Sequence, residues 1–553
     1  MPNMISSDVL IVGAGPVGLT LAIDLAWRGI DVTVVETRAR AAPPDPKCNH
    51  VAARTMEIFR RLGLAEKVRN AGLPTDYPHD ISYRTTFTGQ ELTRIKIPCR
   101  RDRFTMKDGP DCNWPTPEPP HRINQIFLEP ILFEHAAVQS RIKIINRTSV
   151  EDVVVEETSA RLCLRDLDTG TVRRASCRYL IGCDGARSVV RKAIGAELTG
   201  DAVVQRVQST YIRAPDLIDR QHHERAWGTG SINPRRAGMV YAIDGRERWL
   251  LHNYMKPGEG DFDSVDRDGC IRTILGVGAD FKYDIISRED WYGRRLIADK
   301  FRHACAFIAG DAAHIWVPYA GYGMNAGIAD AMNLSWLLAA HLNGWAPASI
   351  LDAYEAERWP ITSQVSRFAM SHAEAEIRRR GAVPDEIEDA GPSGELARCE
   401  VGRLAYEINV QQYACAGLNF GSYYDRSPII AYDGSEPPAY TMDSYTPSTV
   451  PGCRTPHLWC EDGQSLYDAM GEGFTLLRFD AALDVATLET AARSRGVPLR
   501  VLDIDRPSTK PPATAILCGG LVLSRPDQHV AWRGDNLPAD PLALIDRVRG
   551  AAN

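Results

Sequence analysis

The sequence has no uninterrupted apolar run approaching the about 18 residues that suggest a membrane-crossing helix. It also lacks a basic stretch ahead of its first apolar residues. Met1 to Asp8 leads straight into Val9-Leu10-Ile11-Val12 and a glycine, which reads as a core strand rather than a signal peptide. There is no surplus of positive charge. Lys and Arg number 64 against 71 Asp and Glu, a net −7, so neither nucleic acid nor an acidic membrane has an electrostatic footprint to bind. The 13 cysteines form no Cys-x-x-Cys and no zinc-ligand pairs, and their number is odd. That pattern is expected of buried reduced thiols in a cytoplasmic protein without a metal site. What remains is ordinary globular composition, 44% hydrophobic and 24% charged over 553 residues. Such a length allows about two to four domains.

The chemistry-bearing pattern begins at once. The strand-like run Val9 to Val12 is followed by Gly13-Ala14-Gly15-Pro16-Val17-Gly18, a helical stretch from Leu19 to Arg28, and a second strand, Val32 to Val35, closed by Glu36. In this βαβ unit Gly13 permits the tight turn, Gly15 lets backbone approach a pyrophosphate, and Gly18 lets helix and strand pack closely. Glu36 is suited to a ribose hydroxyl pair and disfavours a 2′-phosphate, so FAD or NAD is expected over NADP as resident ligand. Arg38, just beyond it, belongs to the same candidate cofactor set. A second turn, Asp184-Gly185-Ala186-Arg187-Ser188, closes the strand Tyr179 to Cys183 and opens a helix. A third, Ala309-Gly310-Asp311-Ala312-Ala313-His314, follows the apolar run from Ala304 and continues through Pro318, Gly323 and Met324 to a helix expected to begin near Asn325. Asp311 is placed to accept hydrogen bonds from a polyol, and the helix start presents a positive end to an electron-rich ring.

Between these turns the periodicity changes. Short alternating segments at Ile81 to Tyr83, Leu92 to Ile97, Val203 to Arg213, Met239 to Ile243 and Trp249 to Tyr254 read as strands of an inserted sheet. The fold class expected is α/β: a Rossmann-like FAD-binding fold (1–72, 121–194 and 295–400) interrupted by a β-sheet substrate domain (73–120 and 195–294). The Pro- and Gly-rich piece from Gly381 to Gly394 reads as a loop. A third unit, 440–553, has the strand and helix order of a thioredoxin fold. Its first turn, Asp480-Ala481-Ala482-Leu483, carries no cysteine and so cannot exchange thiols.

The three turns, in this order, resemble the single-component flavoprotein aromatic hydroxylases, the para-hydroxybenzoate hydroxylase group. The carboxyl-terminal unit, ending Arg525-Pro526-Asp527-Gln528-His529-Val530-Ala531-Trp532-Arg533-Gly534, is similar to that of the phenol and polyketide hydroxylase branch. The resemblance implies FAD as resident cofactor, with Gly13, Gly15 and Gly18 at its pyrophosphate and Glu36 at its adenosine ribose. Asp311 would hold the ribityl chain, and Gln125, Asp184 and Gly185, with Arg191, would lie near flavin or nicotinamide. NADPH or NADH would be a transient co-substrate, and O₂ with a small aromatic molecule the partners of the reaction. The implied activity is hydroxylation of a phenolic or polycyclic aromatic ring through a flavin C4a-hydroperoxide. Epoxidation or oxygenative ring modification on the same scaffold, and an FAD-binding protein without turnover, are the alternatives. Three departures stand out: Val317 where a second proline is frequent, Ala320 where glycine is, and Lys47 where many members carry arginine. Oligomeric state is left open, a homodimer being the assembly considered.

Phenol ionisation would be helped by a base as the ring attacks. His50, after the turn Lys47-Cys48-Asn49, is the base nominated. Lys47, His252 and Tyr254 complete the catalytic candidates, and Trp316 and Tyr319 are expected to wall the pocket. His314 is assigned to structure.

Overall fold

Val9, Leu10, Ile11 and Val34 are fully buried because Ile5–Val12 and Val32–Val35 run side by side in the middle of a parallel sheet. This computed structural model describes residues 4–40, 42–221, 223–504 and 520–552. In the first sheet Ile5–Val12 is flanked by Val32–Val35 and by Val172–Gly182, all parallel. Ile142–Ile145 extends one edge and Ala306–Ile308 the other, also in parallel. Helices Pro16–Trp27 and Tyr322–Leu342 pack together against this sheet, and their apolar faces form the largest core cluster.

The second sheet has eight strands. Its spine is the pairing of Leu198–Arg213 with Asp284–Ala298 on one side and Arg248–Tyr254 on the other. Gly238–Ala242, Gly228–Ser231, Ile81–Arg84 and Glu91–Ile95 follow on the second side, and the short strand His314–Ile315, paired with the end of Asp284–Ala298, completes it. The third sheet orders Leu499–Asp503, Phe474–Arg478, Leu521–Ser524 and Val530–Gly534, with the first pair parallel and the rest antiparallel. With helices Ala486–Ser494 and Pro541–Val548 this is the thioredoxin-like arrangement.

Several sequence expectations change. The strand Asp284–Ala298 and the helix Pro392–Tyr413 carry no pattern strong enough to be read from sequence, yet both border the site. The expected loop from Gly381 to Gly394 therefore ends inside a helix. Pro360 lies within one uninterrupted helix, Ala353–Arg380. The helix expected near Asn325 begins three residues earlier, at Tyr322, behind Gly321 in the left-handed region at φ 59°. Ala515 to Ser524, which with His529 to Trp532 reads in the sequence as a hairpin, falls partly outside the described residues. Among these residues no helix is long and apolar enough to cross a membrane, and no group of three or more His, Cys, Asp or Glu could hold a metal.

Candidate active site

The three turns singled out in the sequence leave the carboxyl ends of three neighbouring parallel strands, so they meet at one edge of the first sheet. Their contact is close. A methyl group on Gly13, whose φ is 102°, would sit 2.3 Å from the Cys183 carbonyl oxygen, and one on Gly18 would sit 2.1 Å from the Gly13 oxygen. A methyl on Gly15 would meet nothing within 4 Å, because Gly15 faces open space. That space is a cavity of about 660 Å³, bounded on one side by the turns and on the other by the second sheet and the ends of two helices.

Gly15, Arg38, Lys47, His50, Gln125 and Gly185 line it, as do His252, Tyr254, Asp311, Pro318, Gly323 and Met324. Trp316 and Tyr319 also form part of its wall. Glu36 opens instead on a small recess of about 90 Å³, which shares Arg38, Pro44 and Glu129 with the main cavity. Its carboxylate accepts the Ala14 N–H at 2.7 Å and the Arg38 N–H at 2.8 Å, fixing the first turn to the end of the second strand. Arg38 reaches on to Glu129 at 2.7 Å, and Glu129 accepts from Gln125 as well.

Gly13, Gly18, Asp184, Gly310 and Asn325 stand behind the lining. Asp184 accepts the Val189 N–H at 2.7 Å, next to Ser188, which caps the short helix Val189–Ala193 by accepting the Arg191 N–H at 2.9 Å. Arg191 ties the second turn to the third, donating to the carbonyls of Ala186 at 2.8 Å and Ala312 at 3.1 Å. Asn325, expected at the helix mouth, is buried: it accepts from the Ala52 N–H and the Thr55 hydroxyl and donates to the carbonyls of His50 and Gly321. Both lone pairs and both N–H groups of its amide are thereby engaged, and it pins the helix to the His50 segment. His314 is buried against Asp330 at 2.7 Å, and Asp330 also takes Arg358 at 2.9 Å and the Gly310 N–H at 3.2 Å.

Asp311 differs from these. Its carboxylate opens on the cavity, and no side-chain or backbone donor among the described residues bonds to it. The surrounding protein raises its pKa by desolvation, against the pull of His314 and Lys47. Lys47 itself bridges at 2.9 Å to Glu289, strapping its loop to the strand Asp284–Ala298 at the cavity mouth. Burial lowers its pKa, but Glu289 and the neighbouring carboxylates outweigh it.

His50 is buried, with Nδ1 against the Arg122 guanidinium and Nε2 without a partner. Arginine only donates, so a neutral His50 accepts at Nδ1 and carries its proton at Nε2. His252 has no hydrogen bond at its buried Nδ1, and burial pulls its pKa down to about 4. Tyr254 lies under Arg380, 4.1 Å from the ring centre, and burial holds its phenol well above the usual range. Cys48 and Cys183 both line the cavity, and Cys48 is likewise kept as a thiol, its pKa pushed up to about 12 by burial.

The sequence did not single out Arg122, Tyr241, Glu376, Arg379, Arg380 or Tyr413 as site residues, yet all six line the cavity. The sequence marks Glu376 to Arg380 only as the end of a helix, and helix Pro392–Tyr413 was unmarked, so only their shared position reveals them.

Residues 6–369 match the family described as FAD binding domain, and residues 448–552 match the carboxyl-terminal domain of aromatic-ring hydroxylases. The chain belongs to the FAD-binding aromatic-ring hydroxylases. The hydroxylase is 30% identical to the FAD-dependent monooxygenase apdD of Emericella nidulans, over 99% of this chain and 90% of that one. It is 30% identical to the tetracenomycin B2 monooxygenase-dioxygenase of Streptomyces olivaceus, over 99% and 98% of the two chains. Among solved structures it matches the rebeccamycin biosynthetic enzyme RebC with reduced flavin, with a TM-score of 0.88 and 34% identity over 100% of both chains. Aklavinone-11 hydroxylase with FAD and aklavinone gives 0.81 and 27%, over 99% of each. The hydroxylase is thus a flavoprotein monooxygenase with FAD as cofactor and NAD(P)H as co-substrate.

Proposed function

We propose that this hydroxylase places a phenolic or polycyclic aromatic substrate in the inner part of the cavity and converts one ring C–H to C–OH with one atom of O₂, the other atom leaving as water at the expense of NAD(P)H. The observation that carries this reading is one continuous cavity running from the three turns to the phenols and guanidiniums of the second sheet and helix ends. The turns fit FAD: Gly15 leaves its face open, and Asp311 presents an unoccupied acceptor to the same space. Gly15, Arg38, Gln125, Gly185, Asp311, Pro318, Gly323 and Met324 would hold the cofactor, with Glu36 at its recess and Gly13, Gly18, Asp184, Gly310 and Asn325 shaping the turns. When bound, FAD supplies the redox chemistry, taking electrons from NAD(P)H and activating O₂.

The chain's own residues orient the ring, exclude water and bias the phenol toward its ionised form. Trp316, Tyr319 and Tyr254 give the pocket aromatic walls. His50 serves as a donor at Nε2 toward the substrate's oxygen, because Arg122 occupies its Nδ1. The positive charge of Arg122 behind it favours a phenolate. His252 stays neutral at neutral pH, and Tyr254 keeps its proton, so both are hydrogen-bonding partners. Lys47 acts at the mouth through Glu289.

The test is to purify the chain, measure flavin absorbance per protein, and screen phenols for accelerated NAD(P)H oxidation and a product heavier by one oxygen. A yellow protein with substrate-stimulated oxidation is expected. A colourless chain indifferent to added FAD, or one that never oxidises NAD(P)H faster with any phenol, overturns the reading.

A further inference from the structure

Arg525 to His529 join the strands Leu521–Ser524 and Val530–Gly534 of the carboxyl-terminal unit. A hairpin turn ordinarily lies in water, because its backbone groups need partners. Here every residue from Arg525 to His529 is buried. The turn closes on itself through the Arg525 N–H, which donates to the His529 carbonyl at 2.8 Å, and Gln528 stands in the left-handed region at φ 65°. Two helices of the FAD-binding domain supply its remaining partners. From Ala53–Arg61, Arg54 donates to the Asp527 carbonyl at 2.7 Å and to the Gln528 side chain, and Arg61 to the Pro526 carbonyl at 3.2 Å. From Ala353–Arg380, Glu357 accepts Arg525 at 2.6 and 2.8 Å.

Both helices lead on to the turns at the cavity. Glu357 also accepts from Asn333 of helix Tyr322–Leu342 at 2.6 Å, and Asn333 donates to Tyr424 at 3.3 Å, whose ring centre lies 5.0 Å from the Arg525 guanidinium. One turn before Asn333 the same helix carries Asp330, and beside Glu357 stands Arg358; these two meet at 2.9 Å. Asp330 in turn grips both ends of the third turn, the Gly310 N–H at 3.2 Å and His314 at 2.7 Å. Tyr354 donates to the Ile308 carbonyl at 2.7 Å, at the strand end from which that turn departs. On the other side, Thr55 of Ala53–Arg61 donates to Asn325 at 2.7 Å, and Asn325 to the His50 carbonyl at 3.1 Å. Arg379 and Arg380, by contrast, share Glu376 at 2.8 and 3.6 Å within a single helix, and Arg379 Nη1 has no partner.

We propose that the buried turn Arg525–His529 positions the cofactor site, with Arg525 as its central positioning residue. Arg525 acts through Glu357, Asn333 and Asp330 on the turn that presents Asp311. The carboxyl-terminal unit, which cannot exchange thiols, thereby has a role in retaining FAD. A buried cluster of this kind holds one geometry, since moving either helix leaves a carboxylate without its cation. The two helices are so fixed in register with each other, and the N–H and carbonyl groups at the strand end with them. This inference rests on the assignment of Gly310 and Asp311 to FAD made above.

The experiment uses the FAD-loaded full chain. Flavin release on serial dilution, read by fluorescence, gives the FAD dissociation constant, and visible circular dichroism reports the surroundings of the flavin that stays bound. Arg525→Met removes the cation. Asn333→Ala removes one amide and leaves every charge paired, so it decides the matter if Arg525→Met does not fold. Both are measured where the chain is fully folded, so that lost stability by itself does not weaken binding. In each folded variant the dissociation constant is expected to rise at least about threefold, with an altered dichroism band. Asp468→Asn is the control. It cuts a partly exposed ion pair of 2.7 Å between the same unit and Arg60, outside this chain of bonds, and is expected to leave both readouts unchanged. A smaller rise or an unchanged band in a folded variant overturns the proposal, and so does an equal effect in Asp468→Asn. Undiminished FAD binding in Asp311→Ala, run alongside, falls instead on the assignment of the third turn.

Discussion

At the junction with the carboxyl-terminal unit, Arg525 lies between two carboxylates; at the inner end of the cavity, Arg379 and Arg380 share one. Arg525 pairs with Glu357 at 2.6 and 2.8 Å and with Asp527 at 2.6 and 3.0 Å, and its side chain is fully buried. Asn333 adds a bond to Glu357 at 2.6 Å, linking this cluster to the helix that carries Asp330. Every nitrogen of Arg525 has a partner. The cavity end has the same residue types and comparable burial, but Arg379 keeps an idle nitrogen and Asp311, across the cavity, has no bonded donor. A cluster whose needs are met within the chain joins two parts of the fold. Groups left unmet around a cavity are where ligands fit.

That contrast can be broken most directly at the junction. Arg525→Met should destabilise the fold by about 3–5 kcal/mol, because it leaves Glu357 and Asp527 buried without a cation. Denaturant midpoints would measure this, and a loss under about 1 kcal/mol would make the junction no different from an exposed pair. Asp311→Ala should behave oppositely. It removes a carboxylate with no bonded donor, so the apoprotein should lose little stability, while FAD affinity should fall about 10- to 100-fold, the worth of a charge-assisted hydrogen bond. Flavin titration checks this; undiminished FAD content would remove Asp311 from its assigned role.

His252 sharpens the comparison through pH. Its folded pKa, about 4, lies below the ordinary histidine value of 6.5. Its contribution to stability is therefore full above pH 6.5 and is lost as pH falls toward 4. By pH 5 this amounts to about 2 kcal/mol. Unfolding midpoints of the wild type and His252→Phe at pH 7.5 and pH 5 should show a smaller acid loss in the variant; identical losses would place His252 in contact with water. The smallest effect is expected at His50. As a donor at Nε2 its replacement by glutamine should lower kcat about tenfold or less, measured in steady-state hydroxylation with FAD binding intact. A drop of about 10²- to 10⁴-fold would return to His50 the proton-abstracting role first considered for it.

Much of the FAD side was readable in the linear chain because its signals are local. Gly13-x-Gly15-x-x-Gly18, Asp184-Gly185 and Gly310-Asp311 each follow an apolar run, and a turn at a strand end is specified by the residues in it. The third sheet was readable for the same reason, its strands and helices alternating at short range. The helix start at Tyr322 was misplaced because Gly321, not Asn325, makes the bend, and Gly321, Gly323 and Asn325 each read as a helix-start residue in sequence. The strand Asp284–Ala298 was missed because it is half-exposed and carries many charged residues, which blur a period-two pattern.

The substrate side was not readable in this way. Arg122, Tyr241, Glu376, Arg379 and Tyr413 lie on four separate segments, and none has a local motif. The sequence by itself determined the order of turns, the glycines that allow them to touch, and the acid placed at each strand end, because backbone geometry is set by immediate neighbours. Only the tertiary structure decided which charges are satisfied and which face the cavity, since a partner is defined by distance in space, and Arg525 with Glu357 lies as far apart in the chain as Arg379 lies near Glu376.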